Sequence, residues 1–171
     1  MIWNAQAGAL MVGATAVALF VGKSGRAVGQ KASSVPTPES VFGFPIGKDS
    51  NLVDYEQSIR YFKKLAATSN RIHLINVGTT SFGRPWTAAI ITSPANYAGL
   101  DHYRQINLRL AHPAGLTDAP ARRLARDGRV FIDISGGLHA SEIAGSQHTP
   151  QLAYELLSQA DEPQMKEILD T

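Results

Sequence analysis

The sequence predicts an α/β fold, and three observations predict it. Val130-Phe131-Ile132-Asp133-Ile134-Ser135 is β-branched and apolar and reads as a strand. Gly136-Gly137 follows it, and a helix-like run then extends from about Ile143 to Gln159. Upstream, helical spacing over Tyr55, Ile59, Phe62 and Leu65 gives way to strand alternation over Arg71 to Val77. Helical and strand periods thus alternate along the chain. A chain of 171 residues can bury one sizeable core, which points to one domain.

Composition narrows the function classes. A net charge of +2 is too small to imply a nucleic-acid partner. Arg122, Arg123, Arg126 and Arg129 cluster at helical spacing around Asp127 and read as a solvated face. With no cysteine, disulfides and thiolate metal sites are excluded, so any metal must be held by His, Asp, Glu or water.

In chain order, Ala5 to Gly22 is uncharged and apolar. Residues 1–30 read as a secretory signal, with small residues for cleavage at Ala27-Val28-Gly29, which would place the protein in the periplasm or outside the cell. Lys23 and Arg26 follow the apolar run and nothing basic precedes it. A retained membrane anchor over residues 5–22 and a mis-assigned start therefore stay open. Residues 31–50, rich in Ser, Pro and Gly, read as a linker and extended lead-in that packs Val41, Phe42 and Phe44 onto the domain. The folded unit proper spans 51–171.

Asn51 is expected to cap the first helix, with Asp54 in its first turn and Tyr55, Ile59, Phe62 and Leu65 facing the core. Arg71 to Val77 is a strand with Ile72 and Leu74 on one face and His73 packed or at an edge. After the turn Gly78 to Pro85, Trp86 to Thr92 returns as an antiparallel partner, and Arg84 supports the turn. Ser93-Pro94 opens a helical region carrying Tyr97, Leu100, Tyr103, Ile106 and Leu110, broken at His112-Pro113-Ala114-Gly115. Thr117 caps a short helix that ends at Asp127-Gly128. His102 and His112 read as surface residues, while His148 is placed to face the core. Asp133 needs a partner if buried. Ile143, Gln147, Pro150, Tyr154 and Leu157 line one side of the long helix, with Pro150 a kink or a new start, and Gln164 to Leu169 forms a last short helix.

The chemistry concentrates at Gly136-Gly137-Leu138-His139-Ala140-Ser141-Glu142. Imidazole and carboxylate are both zinc ligands, and a bend at a strand end can aim both at one point. In open α/β sheets, ligands bind beyond the carboxyl ends of strands. A bare His-x-x-Glu also fits a surface pair or a structural histidine.

Ile134 to Leu157, ISGGLHASEIAGSQHTPQLAYELL, resembles the first metal motif of the M14 zinc carboxypeptidases. In that family a strand ends in His-x-x-Glu and a helix follows. Gly78-Thr79-Thr80-Ser81-Phe82-Gly83-Arg84-Pro85 resembles the family's Gly-x-[ST]-x-x-Gly-Arg turn, and Thr37 to Ser40 is similar to the Thr-Pro-Glu-Ser opening of large bacterial M14-like peptidases. The resemblance covers roughly Thr37 to Thr171. It implies a three-layer α/β/α fold with a mixed central sheet of zinc-carboxypeptidase type, incomplete at its C-terminus. It also implies a zinc-dependent peptidase acting on a peptide or peptide-like substrate, with His139 and Glu142 as the first two Zn2+ ligands and a metal-activated water as nucleophile.

The resemblance further implies a third ligand, a histidine, far downstream, and a general-base glutamate and substrate-binding tyrosine beyond that. None has a counterpart before Thr171, so the sequence reads as the N-terminal part of a longer peptidase, inactive by itself. The other expectation is a truncated or degenerate, non-catalytic M14-like domain that binds peptide or glycan. Many family members carry arginine where this chain has Ser141. Serine cannot replace that charge, which leaves open an endopeptidase, a peptidoglycan-type substrate or an amide hydrolase.

Overall fold

The computed structural model describes residues 35–171. The signal or anchor expectation for residues 1–30 lies outside the described residues, as do residues 31–34 of the linker. No helix among the described residues is long and apolar enough to cross a membrane. The described elements are α1 (Pro38–Phe42), α2 (Tyr55–Thr68), β1 (Ile72–Thr79), β2 (Pro85–Ile91), α3 (Pro94–Ala98), α4 (Leu100–Ala111), α5 (Asp118–Asp127), α6 (Ile143–Ser158) and α7 (Pro163–Asp170).

α1 corrects the expectation of an extended lead-in. The Thr37 hydroxyl accepts the Ser40 N–H at 3.1 Å, and Pro38 occupies the first turn, where no N–H is needed. Gly43, at φ 80°, closes the helix. Val41 and Phe42 pack on the core as expected, and the Phe44 ring lies 6.2 Å from that of Phe42.

The cap of α2 is Asp54, three residues after the expected Asn51. The Asp54 carboxylate accepts the Gln57 N–H at 2.7 Å, and the Gln57 side chain accepts the Asp54 N–H at 2.8 Å. Asn51 instead donates to the Asp49 carbonyl. Tyr61 and Leu65 are fully buried, whereas Tyr55, Ile59 and Phe62 of the expected stripe are half-buried. The Tyr61 hydroxyl donates to the Pro36 carbonyl at 2.9 Å, and burial pushes its phenol above the ordinary range.

β1 and β2 form the expected antiparallel pair, with Ile72 opposite Ile91 and Leu74 opposite Ala89. A bulge between Asn76 and Gly78 precedes the turn. Arg84 holds that turn, pairing with Glu56 at 3.2 Å while its guanidinium lies over the Tyr55 ring. Tyr61, Leu65, Ile72, Ala153 and Leu157 form the core, so α2 and α6 cover one face of the hairpin. On the opposite face His73 stacks on Tyr97 of α3, centroids 3.4 Å apart.

The helical region after Ser93 is two helices, divided at Gly99. A Cβ there would lie 2.8 Å from the Tyr103 ring. Arg129 is not part of a solvated face. Its guanidinium donates to Asn96 Oδ1 at 3.0 Å and lies over Tyr103, while Asn96 donates to the Leu169 carbonyl. This ties α3, α4 and α7 to the start of the next segment.

That segment, Val130 to Ser135, is the largest correction. It is not a strand and has no ladder partner among the described residues. Strand geometry is held by pairing, and the described sheet consists of β1 and β2 alone. Val130, Ile132 and Ile134 are 70%, 75% and 56% exposed. Asp133 is exposed too and accepts the Ser135 hydroxyl at 3.2 Å.

α6 runs through Pro150 without ending and buries Gln147, Pro150, Ala153 and Leu157. Ile143 and His148, expected to face inward, are exposed. Gln147 reaches back to Val53, accepting its N–H at 2.7 Å and donating to its carbonyl at 2.9 Å. One side-chain amide thereby satisfies both backbone groups of a buried residue.

Candidate metal centre

Residues 136–142 join the exposed segment to α6. Gly137, at φ 74°, takes a left-handed turn that favours glycine. The chain then closes on itself: the Glu142 N–H donates to the His139 carbonyl at 2.9 Å. The Glu142 carboxylate turns back to the same residue. Its Oε2 accepts the His139 N–H at 3.1 Å, and its Oε1 lies 2.7 Å from His139 Nδ1. Glu142 is also the residue before α6, yet its side chain makes no cap hydrogen bond to that helix. The side-chain bond to His139, followed by the bond from the His139 backbone N–H, holds the Glu142 carboxyl below the usual carboxylate range.

Both predicted ligands are therefore brought together, with their donor atoms in contact and open to solvent. Two donors each about 2.0–2.1 Å from a tetrahedral zinc sit about 3.3 Å apart. The His139–Glu142 gap of 2.7 Å is the span of a shared proton rather than of a shared metal. Parting the donors by about 0.6 Å would make room for the ion. The residues present fit half of a four-coordinate site, an imidazole nitrogen and a carboxylate oxygen. Among the described residues, no group of three His, Cys, Asp or Glu side chains is placed to hold a metal ion.

The remaining histidines lie elsewhere in role. His73 is packed against Tyr97, and its Nε2 is buried without a hydrogen-bond partner in the described structure. His102, His112 and His148 are exposed. Sequence reasoning missed the residue that carries the motif's footing. A Cβ at Gly136 would lie 2.3 Å from the Gly145 carbonyl oxygen, and one at Gly145 would lie 2.6 Å from the Gly137 nitrogen. The signal was a third glycine in the helix following Gly136-Gly137, a residue type otherwise unfavourable there.

Comparison with known proteins bears on this geometry. Neither curated proteins nor solved structures gave a match to the chain. The family model of the zinc carboxypeptidases, the M14 peptidases, matches residues 58–171, more than half of the chain, including β1, β2, the His139-x-x-Glu142 turn and α6. The chain belongs to the M14 zinc carboxypeptidase family.

Proposed function

We propose that this chain is the N-terminal part of a zinc-dependent metallopeptidase of carboxypeptidase type, with His139 and Glu142 as its first two metal ligands. The observation that carries the reading is the contact of His139 Nδ1 with Glu142 Oε1 at 2.7 Å, at the foot of α6 and inside the family match. Zinc bound there would lower the pKa of a water molecule and polarise the scissile carbonyl.

The chain's own residues supply binding and orientation. Ionised Glu142 draws the His139 ring and backbone to one side of the turn, and α6 fixes the carboxylate's origin. The acidity of Glu142 keeps it an acceptor without a proton of its own, as a ligand must be. Ser141, exposed beside the pair, brings no positive charge to a substrate carboxylate. The substrate is a peptide or peptide-like amide, and Ser141 leaves an endopeptidase, a peptidoglycan-type substrate or an amide hydrolase open beside C-terminal trimming.

The rest of the reading is architectural. In the three-layer α/β/α fold of a longer chain, Val130 to Ser135 would become a central strand, paired on both edges and covered on both faces. Its bare apolar side chains support that role, and the strands and third ligand it needs would come from further chain. Residues 1–30 would direct export as a cleaved signal, or hold the protein at a membrane.

One experiment tests this reading: the mass of the native polypeptide from its source, combined with zinc content and peptidase assay. A longer chain with one zinc, chelator-sensitive hydrolysis and loss of both in His139→Ala is the expected result. A native protein that holds no zinc and hydrolyses no peptide would replace the enzyme with a non-catalytic peptide- or glycan-binding domain.

A further inference from the structure

We infer that Gly145 is a positioning residue for the metal pair: its contact with Gly136 and Gly137 sets the distance between His139 and Glu142. The inference rests on the zinc reading and adds to it a residue that touches neither ligand. His139 stands on the turn side of the motif, two residues after Gly137. Glu142 stands on the helix side, immediately before α6 begins at Ile143. The spacing of the two donors therefore depends on how closely the 136–137 backbone lies against the first turn of α6.

That approach is closed to any side chain. A Cβ at Gly145 would meet the Gly137 nitrogen at 2.6 Å and the Gly136 carbonyl carbon at 3.4 Å. From the other side, a Cβ at Gly136 would meet the Gly145 oxygen at 2.3 Å and Thr149 Cγ2 at 2.7 Å. The obstructing atoms at Gly145 are backbone, so a methyl group there has no flexible side chain to displace. Retreat of α6 is opposed by Gln147, two residues on, which is bonded to both backbone groups of Val53. The yielding part is the turn, and His139 moves with it.

The test uses the 171-residue chain and its Gly145→Ala and Gly136→Ala variants, with His139→Ala as the ligand control. Zn2+ titration is followed by the His139 ring nitrogen shifts, and the metal-free His139 amide proton shift reports its bond to Glu142. Alanine favours helix more than glycine does, so the helical circular dichroism of Gly145→Ala stays level, while displacement of the 136–137 backbone lowers its unfolding midpoint. Zinc affinity falls about 10-fold or more in both variants, the range typical of residues that support metal ligands, and the amide shift moves.

Wild-type affinity with an unmoved amide shift in both variants would overturn the inference. So would an affinity loss that merely tracks a loss of helix. No His139-dependent zinc binding in the parent chain, with the amide shift still moving in both variants, would sink the zinc reading and leave the interlock standing.

Discussion

Ile72–Thr79 and Val130–Ser135 are built from similar residues, β-branched and apolar with a polar residue between, yet they end in different states. In β1, Ile72 is 1% exposed, backed by Tyr61 and Leu65 and paired across to Ile91. In the second segment Ile132 is 75% exposed, and the backbone forms no ladder in the described structure. The difference is not in local preference. β1 meets its partner through a turn of a few residues, so pairing closes a short loop at small entropic loss. Val130 to Ser135 follows α5 and precedes α6, and its neighbours in a parallel sheet would have to come from distant chain. An apolar strand pattern states that burial is needed; it does not supply the surface that provides it.

This comparison breaks if the two regions respond alike to mutation. Leu65→Ala removes a fully buried side chain from the core beside Ile72 and is expected to destabilise the chain by about 2–5 kcal/mol in chemical unfolding. Gln147→Ala leaves the buried Val53 N–H and carbonyl without partners, and about 1–3 kcal/mol is lost by the same measurement. Asp54→Ala removes the capping box of α2, at a loss of about 1 kcal/mol.

Ile132→Ser, in the exposed segment, is expected to leave stability within about 0.5 kcal/mol of the parent. A loss near that of Leu65→Ala would show that the segment is buried in solution and erase the contrast.

The smallest effect is a pH dependence. Asp170 has its pKa lowered, first by its hydrogen bond to Lys166 and then by the charges of Lys166 and Arg71. The lowered folded-state value means that its stabilisation is fully present above the ordinary aspartate range and fades as pH falls through the lowered one. Asp170→Asn should lower the neutral-pH unfolding midpoint slightly, with the difference from the parent chain disappearing as pH falls through the lowered range.

Much of the described fold was legible in the sequence. The hairpin followed from alternation on both sides of the Gly78–Pro85 turn, and α6 began at Ile143 as its period indicated. Thr117 at the start of α5 and the break after Ala111 were likewise legible. Misses arose where two residues offered the same local chemistry. Asn51 and Asp54 can both cap a helix, and Gln57 decided for Asp54 by completing the reciprocal bond. α1 was hidden in a Ser/Pro-rich stretch because Thr37-Pro38 serves a helix start as readily as an extended chain. Arg129 resembled its solvated neighbours until Asn96 and Tyr103, distant in sequence, were brought to it.

Local sequence was enough for most of the elements and for the closeness of His139 and Glu142. Helix and strand periods are local, and His139 and Glu142 are three residues apart in a turn that their own hydrogen bonds close. Packing between distant elements settled which pattern found its burial and how the motif is footed. The Gln147–Val53 clamp spans 94 residues, and the Gly136–Gly145 contact depends on the absence of atoms. Contacts of that kind arise from the packing of whole elements, where a missing side chain matters only once another backbone arrives beside it.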